Sequence, residues 1–180
     1  MNHCYLFMGP SGSGKTSLAE KAFAPEQKII SYTTREPRQG EVSGRDYFFI
    51  TKKDFKQMIM DNQFAEFDVY DEHFYGISID TLQKALAKGH CYDPITVMGF
   101  LNLHQLFGDQ VIPIWINISK ETLLTRLNKR STPAEVERRL ARFESDQQEY
   151  EKLKKFPTLI EIDGETSLEE MIQQLHRSLN

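Results

Sequence analysis

The strongest constraint in this chain lies near its start, in Gly9-Pro10-Ser11-Gly12-Ser13-Gly14-Lys15-Thr16. The octapeptide satisfies the phosphate-cradling pattern G-x-x-x-x-G-K-[ST] at every fixed position. Glycine allows backbone conformations with positive φ and close approach to a ligand. A loop folded that way turns successive N–H groups inward and makes an anion-binding nest. The helix that follows adds unpaired N–H donors and the positive end of its dipole. In this pattern Lys15 reaches the β- and γ-phosphates, and the Thr16 hydroxyl holds a magnesium ion. The flanks agree with that reading. Cys4-Tyr5-Leu6-Phe7-Met8 is a short apolar run of the kind a buried strand needs. Thr16 to Phe23 reads as a helix stopped by Pro25. The loop is therefore expected to bind a nucleoside triphosphate.

The remainder of the chain sets the scale. Its 180 residues suit one domain with small insertions and suffice for a real core. Charge is nearly balanced, with 22 Lys plus Arg against 26 Asp plus Glu, so neither nucleic acid nor a membrane surface is an expected partner. No apolar run approaches the roughly 18 residues of a membrane span. The first apolar stretch leads directly into the phosphate loop, so no signal peptide is expected. Cys4 and Cys91 lack C-x-x-C spacing and read as reduced, buried thiols of a cytoplasmic protein. The five histidines show no metal-site spacing. Oligomeric state leaves no signature.

Strands and helices alternate along the chain. Lys28 to Tyr32 reads as a second strand, followed by a long polar loop over Thr33–Asp46, a length that points to function. Tyr47–Ile50 and Phe64–Tyr70 read as strands, Phe55–Met60 as a short helix, and Phe74-Tyr75-Gly76 as a turn. Thr81–Lys88 is helical and ends at Gly89. Val111–Ile118 is the clearest central strand, and Ser119 caps a helix running to Lys129. Thr132-Pro133-Ala134-Glu135 combines a capping box with Pro at the first helical position, opening a long charged helix to about Glu151. Leu159–Ile162 is a last strand, and Ser167 with Glu170 opens an amphipathic C-terminal helix. This order predicts an α/β fold, a P-loop-type parallel sheet flanked by helices.

With these residues in view, the chain resembles the guanylate kinase family. Besides the phosphate loop, Ser31-Tyr32-Thr33-Thr34-Arg35-x-Pro37-Arg38-x-Gly40-Glu41-x-x-Gly44-x-Asp46-Tyr47-x-Phe49 is similar to that family's most specific signature. Glu66-Phe67, Tyr75-Gly76 and the late pattern Arg126-Leu127, Arg130, Arg139-Leu140 also fit. The resemblance implies a single 1–180 domain: a core of about 1–31 and 78–180, a β-rich monophosphate-binding insertion of about 32–77, and a helical lid near 128–150. It implies transfer of the ATP γ-phosphoryl group to a nucleoside monophosphate, GMP favoured, with Mg²⁺. Gly9 to Thr16 match the ATP-binding positions. Arg35, Arg38, Tyr47 and Tyr75 match positions that grip the acceptor phosphate, and Ser31 and Glu66 match positions that read guanine. Lys15, Arg130 and Arg139 match the catalytic cations. The chemistry concurs: arginine offers bidentate, permanently charged donors, and a carboxylate accepts both adjacent N–H donors of guanine. Arg130 and Arg139 also lie in a strongly charged helical region, where a solvated face is the alternative. Arg126, Arg138 and Arg142 read as plain surface.

Two stretches depart from the family pattern. Ile77 stands where a Ser or Thr usually follows Tyr-Gly, with Ser78 one residue later. The usual Asp-x-Asp strand end is replaced within Cys91-Tyr92-Asp93-Pro94-Ile95-Thr96, where Pro94 removes a ladder donor. Asp93 is either a shifted metal-site carboxylate or the start of a turn with Pro94. The departures leave open a kinase for another phosphorylated small molecule. A non-catalytic guanylate-kinase-like binding module is the remaining alternative, and the intact Gly14-Lys15-Thr16 argues against it.

Overall fold

The structure is a computed structural model that describes residues 1–70, 72–129 and 132–179. In chain order the elements are β1 (Cys4–Met8), α1 (Lys15–Ala22), β2 (Tyr32–Thr33), β3 (Phe48–Phe49), α2 (Lys52–Met60), β4 (Phe64–Tyr70), β5 (His73–Ser78), α3 (Ile79–Lys88), β6 (Cys91–Pro94) and α4 (Val97–Phe107). Then follow β7 (Val111–Asn117), α5 (Lys120–Asn128), α6 (Pro133–Ala141), α7 (Phe143–Glu151), β8 (Ile160–Asp163) and α8 (Leu168–Leu179). They form two four-stranded sheets, ordered β6-β1-β7-β8 and β3-β2-β5-β4. The contacts divide the chain into two compact units: Met1–Cys4, Gln27–Cys91 and Met98–Val111 in one, Tyr5–Glu26, Tyr92–Val97 and Ile112–Asn180 in the other.

The second unit holds most of the first sheet. Every residue of β1 is buried, as an interior strand requires. β7 and β8 pair in parallel from Ile114↔Ile160 to Asn117↔Asp163. β6 follows β1 in the same direction, since Cys91 N–H donates to His3 O and Ile95 N–H to Phe7 O. Pro94, expected to break a central strand, instead ends an edge strand, where a missing N–H leaves no neighbour unpaired. Sheet residues Tyr5, Phe7, Tyr92, Ile114, Ile116 and Ile162 share one core with Leu18 and Ala19 of α1 and Met171 and Leu175 of α8. Each of these large side chains is worth about 1.5–3 kcal/mol when fully buried. The helices start where the sequence says they should. Ser119 Oγ accepts Thr122 N–H, and Thr132 with Glu135 makes both bonds of a capping box. Ser167 and Glu170 bond reciprocally in the same way. The long charged helix is two, α6 and α7, divided at Arg142, whose φ of −85° and ψ of −16° stay close to helical.

The first unit is built on aromatic packing. Phe55 of α2 is wholly buried and stacks on Phe64 of β4 with ring centroids 4.3 Å apart. Phe74 of β5 and Tyr32 of β2 pack on the same pair. The expected strand from Lys28 shrinks to Tyr32–Thr33, because only these residues pair with both β3 and β5. The expected turn at Phe74–Gly76 is mid-strand instead, with Tyr75 and Gly76 pairing to both β2 and β4. Glycine is required there by crowding: a Cβ at Gly76 would stand 2.9 Å from Glu66 O and 2.9 Å from two atoms of the Phe64 ring. Both cysteines are buried free thiols. No helix among the described residues is long and apolar enough to cross a membrane.

Candidate functional site

The phosphate loop grows out of β1. Gly9, Gly12 and Gly14 all have positive φ, at 142°, 108° and 104°. At Gly9 a Cβ would also press to 2.9 Å from the Ile116 carbonyl oxygen, so the loop lies directly against β7. Ser13 N–H donates to Pro10 O at 3.0 Å, closing the turn. Gly14 caps α1 without any side-chain hydrogen bond, which leaves first-turn N–H groups to a ligand. Lys15 Nζ donates to Gly9 O at 2.6 Å and Pro10 O at 2.9 Å, holding its charge over the loop. Ser13 Oγ is buried in the same loop with no hydrogen-bond partner among the described residues. Thr16 is exposed on the first turn of α1.

Two residues that sequence reasoning did not credit interact with this loop. Arg126 was expected at the surface. It is half-buried, and it donates to Ser13 O at 3.1 Å and Gly164 O at 2.5 Å, so α5 braces the phosphate loop from behind. Asp146 of α7 faces the loop too. Burial pushes its carboxyl up from the usual range, while Lys15, Arg142 and the Ser11 N–H oppose that rise. Arg139 of α6 is half-buried, and its Nε is closed off from solvent with no hydrogen-bond partner among the described residues. That is not a freely solvated face. Arg130 lies outside the described residues. Asp93 is 8% exposed on β6. No group of three or more His, Cys, Asp or Glu placed to hold a metal occurs among the described residues. A magnesium ion that travels with triphosphate needs only one or two protein oxygens, and the exposed Thr16 hydroxyl fits that modest demand.

The residues expected to bind the acceptor lie in the other unit. Arg35 follows β2, and its N–H donates to Thr33 Oγ1. Its guanidinium lies 5.4 Å from the Tyr47 ring and 5.6 Å from the Phe49 ring. Tyr75 meets Tyr47 edge-on at 6.1 Å. Arg35, Tyr47 and Tyr75 thus form one cluster. Arg35 also pairs with Glu41 through two bonds, Nη1 to Oε2 at 2.8 Å and Nη2 to Oε1 at 3.0 Å. Glu41 raises the Arg35 pKa, and Arg35 holds the Glu41 carboxyl down at about 2. Arg38 is exposed on the loop, with its N–H bound to Glu41 Oε2. The loop itself is ordered by its own bonds, among them Gly44 N–H to Tyr47 O and Val42 N–H to the Asp46 carboxylate.

Glu66 and Ser31 are both buried, at 7% and 8% exposure. A β-bulge between Phe64 and Glu66 resets the register so that Glu66 opposes Ile77. Glu66 Oε1 then accepts the Ile77 N–H at 3.2 Å. The Ile77 backbone therefore orients the carboxylate, while its side chain is buried. Ser78 does not slip into the missing hydroxyl's place. Its Oγ accepts Thr81 N–H as the N-cap of α3 and bonds the Thr81 hydroxyl at 2.7 Å.

Comparison with known proteins identifies the family. The family described as guanylate kinase matches residues 1–180. A guanylate kinase of Wolbachia sp. subsp. Brugia malayi (strain TRS) is 35% identical over 174 residues, covering 92% of this chain and 88% of its own. That of Wolbachia pipientis wMel is 35% identical over 180 residues, covering 96% and 88%. The crystal structure of guanylate kinase from Anaplasma phagocytophilum superposes with a TM-score of 0.71 at 22% identity, covering 99% of this chain and 84% of that one.

Proposed function

Because this chain belongs to the guanylate kinase family, we propose that it moves the γ-phosphoryl group of ATP to GMP, giving ADP and GDP. The observation that carries this reading is the phosphate loop: three positive-φ glycines, a first helical turn open to an anion, and Lys15 held on the loop carbonyls. An acceptor phosphate oxygen attacks the γ-phosphorus, and the bond to the β–γ bridging oxygen breaks. The protein's part in such a reaction is alignment and neutralisation of charge. Lys15 would leave its loop carbonyls for the β- and γ-phosphates, a stronger ionic partner. Arg126 would keep the loop shaped while this happens. Arg139 and Arg130 would face the transferring group, with Arg139 exchanging an unpaired Nε–H for a phosphate bond.

On the acceptor side, Arg35, Arg38, Tyr47 and Tyr75 would bind the monophosphate. Glu66 would accept guanine N1–H and N2–H. An ionised carboxylate has about four lone-pair sites, so the bond from Ile77 leaves it able to do both. Ser31 would supply a second polar contact to the base. Mg²⁺, when bound with ATP, supplies positive charge to the β- and γ-oxygens, and Thr16 would be its protein ligand. Asp93, a buried carboxylate of the same unit, is the candidate for orienting the metal's waters. A cytoplasmic location suits an enzyme of nucleotide supply. The intact phosphate loop disfavours a non-catalytic module, and the buried, oriented Glu66 disfavours an acceptor without a base.

The test is ADP release from Mg-ATP against a panel of GMP, dGMP, AMP, UMP and CMP. Selective stimulation by GMP is expected, with Lys15→Ala folded and lowered by about 100-fold or more. A better substrate than GMP in the panel, or an active Lys15→Ala variant, would overturn the reading.

A further inference from the structure

Arg35 has five N–H donors in a fixed plane, and the structure accounts for most of them. Nη1 donates to the Glu36 carbonyl oxygen at 2.8 Å and to Glu41 Oε2 at 2.8 Å. Nη2 donates to Glu41 Oε1 at 3.0 Å. The end-on edge of the fork and the outer Nη1 hydrogen are therefore committed to the protein. What remains is the Nε–H and the outer Nη2–H, the side-on edge, with the Tyr75 hydroxyl in hydrogen-bonding range of the same group. A side-on edge of this kind matches two oxygens of a phosphate.

Glu41 is itself held firmly. Its Oε2 also accepts the Arg38 N–H at 2.7 Å, and its own N–H donates to Arg38 O at 3.0 Å. The pair is largely shielded, with side chains 12% and 20% exposed. One carboxylate thus fixes the guanidinium of Arg35 and the backbone of Arg38 together. A negative charge beside an anion site weakens binding unless it does something more valuable. Two roles are physically open to it, and they differ in sign. As a stand-in anion, Glu41 would have to be expelled by the acceptor phosphate. As an anchor, it would turn Arg35 so that the remaining edge faces the phosphate.

The geometry points to the anchor, and we infer that Glu41 is a positioning residue for the acceptor phosphate, acting through Arg35 and the Arg38 turn. Expulsion would break three hydrogen bonds of the carboxylate at once, including the one from Arg38 N–H that ties it to the turn. Anchoring breaks none of them and leaves the side-on edge, shared with the Tyr75 hydroxyl, for the phosphate. Arg35 holds the Glu41 carboxyl at about 2, so the anchor stays charged across the working pH range.

This inference rests on the proposed acceptor half, and its test separates the two. Steady-state kinetics on Glu41→Ala should show KM for GMP rising about 10- to 100-fold, the scale expected when a binding group is misplaced by about an ångström. KM for ATP should stay within about twofold. Glu41→Gln keeps an acceptor for Arg38 N–H and for one Arg35 nitrogen, so its rise should be smaller. The double variant Arg35→Ala/Glu41→Ala should bind GMP no worse than Arg35→Ala alone, because a residue acting through another has nothing left to act on. A fall or no change in KM for GMP on Glu41→Ala would overturn the anchor, and so would additive losses in the double variant. Equal rises for GMP and ATP would mark a merely structural role. If the wild type does not turn over GMP, the proposed function fails while Glu41 remains testable. Titration with inorganic phosphate should shift the Arg35 Nε–H proton resonance in the wild type and not in Glu41→Ala. An equal shift in both would refute the inference.

Discussion

Replacing Gly76 by alanine adds one methyl group at a place where the packing states its cost. The new Cβ would lie 2.9 Å from Glu66 O and from Cδ1 and Cε1 of Phe64, about 0.5 Å short of ordinary contact. None of these atoms moves cheaply. Glu66 O belongs to the β4 backbone. The Phe64 ring is stacked on buried Phe55 at 4.3 Å and meets Tyr32 edge-on at 5.8 Å. Overpacking of this kind costs about 1–3 kcal/mol. Alanine's lower chain entropy in the unfolded state offsets about 0.5–1 kcal/mol of it. The net is a destabilisation of about 1–2 kcal/mol, or a fall of about 2–8 °C in melting temperature for a chain of this length. Relief by sliding β5 against β4 would also disturb Tyr75 and the Glu66–Ile77 bond, both within one residue of Gly76 or paired beside it. Urea or thermal melts give the first number. Parallel KM measurements should show weaker GMP binding with ATP binding unchanged. A Gly76→Ala protein that melts at or above the wild-type temperature, with unaltered KM for GMP, would refute the steric reasoning.

Arg126→Ala should remove two charge-assisted bonds to loop carbonyls, each worth about 1.5–3 kcal/mol when shielded and less at a half-exposed site. The expected result is a KM for ATP raised severalfold and little change for GMP, and an unchanged KM for ATP would return Arg126 to the surface role its sequence suggested. Acid should unfold the protein through its partnered carboxylates: Glu41, held at about 2 by Arg35, and Asp46, Glu135, Glu165 and Glu170, each lowered chiefly by hydrogen bonds. Depressed folded-state values mean that their stabilisation is complete above about pH 4.5 and fades as pH falls toward about 2. Asp146, raised by burial, works in the opposite sense. Urea midpoints should therefore hold from about pH 7 to about pH 5 and drop below that, and a flat profile down to about pH 3 would contradict the assigned pairs.

What could be read in the chain without coordinates was chemistry that acts over a few residues. The phosphate loop is such a case, as are the caps at Ser119, Thr132 and Ser167, where donor and acceptor lie three positions apart. Position 76 was misread because its cause is distant: the glycine answers to Phe64, twelve residues earlier and across a ladder. Arg126 looked like surface because its partners, Ser13 and Gly164, are 113 and 38 residues away. Lys28–Tyr32 has the composition of a strand, but only its last residue finds two neighbours. Pro94 argued against a strand only if that strand were central, and strand order is a property of the whole sheet. The cluster of Arg35, Tyr47 and Tyr75 was recognisable as a pattern. The role of Glu41 was not, since a carboxylate in a polar loop carries no periodic signal.

The interleaving of the two units bears on how the protein is made. The chain passes between them five times, at 4/5, 26/27, 91/92, 97/98 and 111/112. Neither unit is a contiguous stretch that a ribosome could deliver complete before beginning the other. The phosphate loop is translated before either neighbour of the strand that carries it, because β1 lies between β6 and β7. It must wait until residue 117 is available before both flanks can pair. At about 5–20 residues per second, that is a delay of roughly 5–20 seconds during which an apolar strand and its glycine-rich loop are unprotected. The nucleotide-binding element of this protein is therefore translated well before the strands that hold it in place.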